Sequence, residues 1–100
     1  MENVKFIGLS DLDDVDKNMV QTVVDEYYGK IKRELNNETS LVIHIKTSTK
    51  GGHRQRYDVS ARAVAPTRIF ESSDEGWDLA ASLHTVCKKI ITEINHAFHD

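Results

Sequence analysis

Apolar residues recur every three or four positions in two long segments of the chain, the spacing that places side chains on one face of an α-helix. The first segment predicts a helix over about residues 12–35, which Ser10 caps at its start and Asn36 ends. The second segment predicts a helix over residues 77–98. The apolar stripe of the first helix includes Val15, Met19, Val23, Tyr27 and Ile31, and that of the second includes Ala80, His84, Cys87, Ile91 and Ile94.

Outside the helices, apolar and polar residues alternate, which predicts strands that bury one face. The predicted strands cover residues 4–9, 41–46, 57–63 and 67–72, and a turn follows at 73–76. The predicted order of elements is therefore β-α-β-β-β-α. Two helices and a four-stranded, mostly antiparallel sheet in this order form an α+β two-layer sandwich, in which both helices pack on one face of the sheet.

Two glycines place a hairpin between the second and third strands, and the apolar positions fix its register. A two-residue turn would set Ile45 opposite Asp58, so that apolar and polar residues would share a face. A three-residue loop over 51–53 instead pairs Ile45 with Val59. It also sets Lys46 opposite Asp58, a pair of opposite charge. Such loops need a residue in the left-handed conformation, which glycine adopts at little cost.

The composition is that of an ordinary globular domain, with 39% apolar and 29% charged residues. We interpret residues 1–100 as a single domain. The chain has no run of roughly 20 apolar residues that could span a membrane, and its first residues do not resemble a signal peptide. The single cysteine excludes an internal disulfide. These features predict a cytoplasmic protein without a membrane partner.

The net charge of −3 argues against indiscriminate nucleic-acid binding, and we expect no DNA partner. The charges are nevertheless segregated along the chain. Residues 1–29 contain two Lys or Arg and seven Asp or Glu, residues 30–70 contain nine and three, and residues 71–100 contain two and six. A basic middle between acidic ends predicts two electrostatically different surfaces, although chance clustering on solvated loops would give the same counts.

The basic middle includes the stretch "KTSTKGGHRQRY", residues 46–57. This stretch lacks the G-x-x-x-x-G-K-S/T pattern of a phosphate-binding loop. In the predicted register its cations point away from the helices at a spacing of about 7 Å, which can match successive phosphates of a nucleic-acid backbone. The alternative is a solvated outer face with one weak ion pair. The candidate RNA-binding residues of the hairpin are Lys46, Lys50, Arg54, Arg56 and Arg62.

Other residues with possible chemistry give weaker signals. His96 and His99 are spaced to share a metal ion, but no further ligand motif accompanies them, and we predict no metal and no cofactor. Cys87 lies on the apolar stripe of the second helix and is predicted to be a buried core residue. No nucleophile motif supports catalysis. Trp77 could stack on a nucleobase, but we expect it to cap the core.

The stretch "FESSDEGWDLAASLHTVCKKIITEINHAF", residues 70–98, together with the order of elements, resembles the ribosome hibernation-promoting factors, also called ribosome-associated inhibitors or sigma-54 modulation proteins. In that family the last strand enters a turn with acidic residues and glycine, and an Asp–apolar–x–Ala–Ala segment and an amphipathic helix follow. Here "EGWDLAA", residues 75–81, is similar to this pattern, and Lys88 or Lys89 stands where the family has its helix lysine. The hairpin corresponds to the family's second and third strands, which vary in sequence.

The resemblance implies a fold like that of the double-stranded RNA-binding domain. It also implies a protein that occupies the decoding channel of the small ribosomal subunit under stress, where it blocks tRNA and mRNA sites. By the same resemblance, basic residues on the helices contact the RNA. In this chain these residues are Lys30, Lys32, Arg33, Lys88 and Lys89.

The chain departs from the family in three ways. Its helices are poorer in Lys and Arg than is usual there, and its net charge is acidic. The C-terminal domain through which long members pair ribosomes has no counterpart, so we expect no ribosome dimerisation by that route.

Three functions are compatible with these observations, and the first is preferred. It is a non-enzymatic, ribosome-associated translation inhibitor that binds structured rRNA of the small subunit by electrostatic docking, with residues 1–100 as one ribosome-binding domain. The second is a protein–protein interaction module of the same α+β fold that uses its open sheet face or an edge strand, without RNA binding; a homodimer through the sheet edge is also compatible. The third is a small enzyme built around His44 and His84.

Overall fold

The computed structural model describes residues 3–50, 52 and 54–99, and of Lys50 and His99 it describes the backbone alone. The predicted order β-α-β-β-β-α is confirmed. The elements are β1 Val4–Ile7, a 3-10 turn Leu9–Asp11, α1 Asp14–Leu35, β2 Ser40–Lys50, β3 Arg54–Val64, β4 Ile69–Gly76 and α2 Leu79–His99. Within the described part of the chain, neither helix is both long and apolar enough to cross a membrane.

The four strands form one sheet in the order β1-β2-β3-β4. β1 runs parallel to β2, and the other neighbouring strands are antiparallel, so the predicted mostly antiparallel sheet is confirmed. Parallel neighbours need a long crossover connection, which α1 provides between β1 and β2.

The register of the β2–β3 hairpin is the predicted one, because Ile45 pairs with Val59. The two strands leave a loop of three residues between them. Within that loop Gly52 has a φ of 79°, the left-handed value that this loop length requires. The other two residues of the predicted loop, Gly51 and His53, lie outside the described residues.

The core lies between the two helices and one face of the sheet. On β2 and β3 the odd-numbered residues point toward the helices, and six of them are at most 2% exposed: Leu41, Ile43, Ile45, Val59, Ala61 and Ala63. The helices contribute Val20, Val24, Ile31, Leu83, Val86, Ile90 and Ile94, which are fully buried. Burying one large apolar side chain contributes roughly 1.5–3 kcal/mol, so this shared layer fixes the helices to the sheet.

The start of α1 differs from the prediction. Its N-cap is Asp13, whose carboxylate accepts a hydrogen bond from the Asp16 N–H at 2.8 Å. Ser10 lies in the separate 3-10 turn 9–11, so the interpretation of Ser10 as the helix cap is wrong. The end of the helix agrees with the prediction, because Asn36 adopts a left-handed φ of 50° there.

The end of β4 also differs. The sequence pattern predicts a turn at 73–76, but the strand continues to Gly76, and α2 begins at Leu79. The residues of this half of β4 that face the helices include Ser72 and Asp74, which are only half-buried. Because they are polar, no alternation of apolar residues marks the strand, and its length is hidden in the sequence.

Candidate nucleic-acid interface

The face of the sheet that points away from the helices carries the predicted hairpin cations. On β2 and β3 the even-numbered side chains project from this open face, because they alternate with the buried ones. Lys46, Arg54, Arg56 and Arg62 therefore share one side of the sheet. Lys50 belongs to the same row, but its side chain lies outside the described residues.

Acidic side chains of β4 compensate part of this positive charge. Arg56 Nη2 lies 2.6 Å from Glu75 Oε1, and Arg62 Nε lies 3.6 Å from Glu71 Oε1. Both pairs are largely exposed, so each contributes at most about 1 kcal/mol to folding. Their larger consequence is electrostatic, because a paired arginine offers less charge to a phosphate than an unpaired one.

The sequence interpretation missed both ion pairs, since it assigned Glu75 to a turn. A signal for them was nevertheless present. Glu71, Ser73 and Glu75 alternate with the helix-facing residues, so they continue the outward-facing row of β4 past residue 72. Extending the strand along this row would have placed Glu75 beside the arginines of β3.

Trp77 lies on the open face, and the expectation that it caps the core is wrong. It follows β4 immediately and is 42% exposed. The guanidinium carbon of Arg54 lies 4.2 Å from the centroid of the Trp77 ring, and the guanidinium carbon of Arg56 lies 5.5 Å from a Trp77 ring centroid. These distances are those of cation–π contacts, which hold both guanidinium groups at the ring.

The predicted helix cations lie on the two helices, and all of them are exposed; Lys89 reaches the edge of the sheet, where its Nζ lies 3.1 Å from the Ser73 carbonyl oxygen. They comprise Lys30, Lys32 and Arg33 near the end of α1 and Lys88 and Lys89 in the middle of α2. We call these five residues the helix basic surface. From residue 30 to the end of α1, and along the whole of α2, the carboxylates are Glu34 and Glu93, so that cations outnumber them five to two. This region is therefore net positive in an acidic protein.

A contact between the helices brings the two halves of the helix basic surface together. Tyr27 Oη lies 2.8 Å from His84 Nδ1, and the two rings meet edge to face with centroids 5.5 Å apart. Lys30 lies one turn after Tyr27, and its ammonium is 5.3 Å from the Tyr27 ring centroid. Lys88 follows His84 by four residues, which places it on the same helix face. Lys30 and Lys88 therefore flank one interhelical contact.

Residues 11–26, from the turn before α1 past the middle of that helix, have the opposite charge. The exposed or half-exposed acids there are Asp11, Asp13, Asp14, Asp16, Asp25 and Glu26, against the single cation Lys17. Acidic residues at the start of a helix and basic residues at its end both interact favourably with the helix dipole. A polyanion is consequently repelled from the start of α1 and attracted to its end.

The buried titratable groups do not form a catalytic site in the described residues. Cys87 is fully buried, as predicted, and burial raises the pKa of its thiol to about 12, so it carries no thiolate at neutral pH. Burial also raises the pKa of Tyr27, which keeps its hydroxyl protonated for the contact with His84.

The histidines are also far from forming one site. His44 lies on the open face of the sheet, whereas His84 lies on α2 on the other side, so the structure separates the two histidines of the enzyme hypothesis. Among the described residues, no group of three His, Cys, Asp or Glu side chains could hold a metal ion. The His99 side chain of the proposed His96–His99 pair lies outside the described residues.

The fold is shared with a protein of known structure. The crystal structure of the N-terminal domain of Protein Y from Thermus thermophilus is similar to this chain with a TM-score of 0.65, covering 94% of this chain and 93% of that one at 14% sequence identity. The likeness confirms the fold that the resemblance to the hibernation-promoting factors implies. No protein-family model matches the sequence, and no curated protein matches it.

Proposed function

We propose that this protein is a ribosome-associated, non-enzymatic inhibitor of translation that acts in the cytoplasm under stress. The helix basic surface docks on structured rRNA of the small subunit, residues 1–100 act as one ribosome-binding domain, and no cofactor takes part. The observation that carries the proposal is the cluster of five exposed cations on the two helices of a fold shared with the Protein Y domain. The sequence resemblance to hibernation-promoting factors supports the ribosome as the partner.

The proposed docking is electrostatic and steric. Lysine and arginine side chains that contact phosphates release condensed counterions, so the affinity falls as the salt concentration rises. The Tyr27–His84 contact holds the two helices together, so their cations are presented as a pre-arranged set and little ordering is needed on binding. Occupation of the channel then excludes tRNA and mRNA without a covalent step.

The hairpin cations form the second part of the proposed RNA-binding surface, and they rank below the helix cations. Arg56 and Arg62 must exchange a carboxylate for a phosphate when they bind RNA. Lys46 and Arg54 belong to no ion pair with a carboxylate among the described residues, so they are the stronger candidates on the sheet. Lys50 completes the row at the tip of the hairpin.

We further propose that the protein docks as a monomer and not as a homodimer through its sheet edge. β1 has four residues and offers a short edge. On the other edge strand, β4, the Ser73 carbonyl already accepts a hydrogen bond from Lys89 Nζ at 3.1 Å. A two-fold antiparallel pairing about Ser73 would also oppose Glu71 of one copy to Glu75 of the other, which is unfavourable.

Co-sedimentation with purified small ribosomal subunits tests the proposal. The protein should be retained at about 50 mM salt and progressively released toward about 200 mM, because phosphate contacts give a linear dependence of log affinity on log salt. Large subunits are the control for general rRNA binding. Absence of retention at the lowest salt would overturn the proposal, and the protein-interaction module would then become the leading function.

A further inference from the structure

The open face of the sheet carries an aromatic platform that the helix basic surface does not use. Trp77 ends the outward-facing row of β4 and is 42% exposed. The guanidinium carbon of Arg54 lies over the Trp77 ring, 4.2 Å from its centroid, so the two groups are in contact. Nucleobases that are not paired stack on aromatic rings and on guanidinium planes alike. Trp77 and Arg54 together therefore form a surface to which a base can bind by its flat side.

A polar groove runs beside this platform across β2, β3 and β4. It is lined by His44, Lys46, Asp58, Ser60, Ser73 and Glu75. Within the groove Asp58 Oδ1 is buried and accepts no hydrogen bond from any described residue. A buried acceptor without a donor is unfavourable, so this atom indicates a place where a ligand that donates hydrogen bonds would gain binding energy.

The groove places a donor beside this acceptor. Lys46 lies directly opposite Asp58 in the hairpin register, so an ammonium and a carboxylate stand on neighbouring strands. Adenine and cytosine each carry an exocyclic amine next to a ring-nitrogen acceptor on the Watson–Crick edge, whereas uracil has no amine and donates only through its ring N3–H. An amine-bearing base can donate to Asp58 and accept from Lys46 at the same time.

The charge of the open face suits an anionic chain. The two exposed glutamates of β4 are each held by an arginine. The charges that remain on the described side chains are Lys5, Lys46 and Arg54 against Asp58, and their balance is positive. Alternate residues of a strand are about 7 Å apart, which is close to the phosphate spacing of an extended single strand.

We propose that the open face binds single-stranded RNA, with one base stacked on the Trp77–Arg54 platform and a neighbouring amine-bearing base in the groove at Asp58 and Lys46. A duplex cannot use this site, because its bases are stacked and paired with one another. The site lies across the sheet from the helix basic surface. The proposed function counts Lys46 and Arg54 as a secondary part of its docking surface, but the site here also depends on Trp77 and Asp58, and an unpaired strand can bind there while the helices are engaged.

The fluorescence of Trp77 provides the first test. It is the only tryptophan of the chain, so its emission reports on the platform without a label. Titration with an unstructured oligoribonucleotide of about eight A and C residues at low salt should quench this emission saturably, because stacking brings a base onto the indole. An oligomer of uridine should bind several-fold more weakly. A blunt-ended RNA duplex of comparable length, which has no unpaired bases, should leave the emission unchanged.

Variants measured with a labelled A and C oligomer locate the site. Trp77→Ala should weaken binding roughly tenfold, within the range of about fivefold to 150-fold that the loss of one stacked base gives. Trp77→Phe should retain most of the affinity, and Arg54→Ala should lose a few-fold. Lys88→Gln, on the helix basic surface, is the matched control and should change oligomer binding less than twofold. All three residues are exposed at the surface, and thermal unfolding confirms that each variant is folded.

Three results would overturn this proposal. They are the absence of saturable quenching by any oligomer, an affinity of Trp77→Ala equal to that of the original protein, and equal binding of the uridine oligomer. Sedimentation of the protein alone tests the alternative that the open face is a contact between two copies of the protein. If Trp77→Ala abolishes self-association and leaves oligomer binding unchanged, the face is a protein contact and the proposal is wrong. Absence of small-subunit retention of the original protein at low salt, with normal quenching of Trp77 by the oligomer, would contradict the proposed function alone.

Discussion

The helix basic surface and the open face of the sheet carry similar numbers of cations but hold them differently. On the sheet, Arg56 and Arg62 each contact a glutamate of the next strand, because the antiparallel register sets Glu71 opposite Arg62 and sets Glu75 diagonally across from Arg56. On the helices, Lys32, Arg33 and Lys88 extend into solvent. The comparison shows that a count of positive residues does not rank surfaces for RNA binding. Their nearest carboxylates decide the ranking.

The two surfaces differ in what phosphate binding costs them. An arginine on the sheet exchanges a carboxylate contact for a phosphate contact, whereas a lysine on the helices gains a phosphate contact without losing another. An arginine that leaves a carboxylate for a phosphate replaces one charge-assisted hydrogen bond with another, so its net contribution is small. A solvated lysine that reaches a phosphate gains the whole contact and releases a counterion. We therefore expect the helices to supply most of the affinity for structured RNA. The sheet, with its Trp77 platform, is better suited to selecting unpaired bases.

Removing two positive charges from each surface in turn should give the largest difference in small-subunit affinity between the two surfaces. Lys30→Gln with Lys88→Gln should weaken small-subunit binding roughly tenfold at physiological salt and lower the salt slope by about 1 to 2, since each lost phosphate contact removes about 0.7–0.9. Arg56→Gln with Arg62→Gln removes the same charge, but from two arginines that already contact a glutamate and would have to exchange it for a phosphate. It should weaken binding less, about two- to threefold. Co-sedimentation over a range of salt measures both.

A control for this comparison is Lys17→Gln, which removes one cation from the acidic half of α1. It should leave retention and its salt slope unchanged, because RNA is repelled from that half of the helix. If the two double variants lost equal affinity, pairing with carboxylates would not distinguish the surfaces. If the sheet variant lost more, the RNA surface would have to be moved to the sheet.

The next largest effect on small-subunit binding is expected from the Tyr27–His84 contact, because it holds the helix cations in their arrangement. Tyr27→Phe removes the hydroxyl that meets His84 Nδ1, and it should destabilise the protein by about 1 kcal/mol in urea unfolding. Tyr28→Phe is the matched control, because it loses a hydrogen bond of similar length, to the Thr39 carbonyl, that does not join the helices. Both should lose similar stability. Weaker small-subunit binding is expected for Tyr27→Phe alone, and equal weakening by both variants would contradict this role.

The architecture could be predicted where apolar residues carry the pattern. The period of Val20, Val24 and Ile31 predicts α1, and the alternation of Ile43 and Ile45 fixes the hairpin register, because each of these side chains is buried in one shared layer. The prediction was wrong where structure is built from polar residues. The second half of β4 faces the helices with polar or small side chains, so neither its length nor the position of Trp77 could be obtained from apolar periodicity.

The candidate site was predictable residue by residue but not in its pairings. Apart from Arg56, which is half-buried, and Lys50, whose side chain lies outside the described residues, the cations of both surfaces are exposed where the sequence places them, since long charged side chains remain in solvent unless paired. Their carboxylate partners come from β4, which lies beside β3 only after folding. The Tyr27–His84 contact was missed, although a signal existed. A tyrosine and a histidine on two apolar stripes both need a polar partner, and each can supply one to the other.

Removal of the two carboxylates on the sheet should make the two surfaces more similar in their contribution to RNA affinity. Glu71→Gln with Glu75→Gln frees Arg56 and Arg62 without changing the shape of the side chains. Affinity for small subunits and for the single-stranded oligomer should rise about two- to threefold at low salt, with a steeper salt dependence. The combination Asp13→Asn with Asp14→Asn adds the same net charge at the start of α1, outside both surfaces. An equal rise in this control would show that total charge alone, and not local pairing, sets the affinity.

The prediction with the smallest expected effect concerns whether the Arg56–Glu75 and Arg62–Glu71 ion pairs persist in solution. A double-mutant cycle with Arg56→Ala and Glu75→Ala should give a coupling free energy of about 0.5–1 kcal/mol in urea unfolding, because the atoms are 2.6 Å apart and the arginine side chain is 29% exposed. The cycle cancels the contact of Arg56 with Trp77, which both arginine backgrounds share. The Arg62–Glu71 pair, at 3.6 Å with side chains 53% and 67% exposed, should couple by only about 0.2 kcal/mol. If neither pair showed coupling, the sheet arginines would be as available to phosphates as the helix lysines, and the difference between the two surfaces would reduce to the shape each presents to RNA.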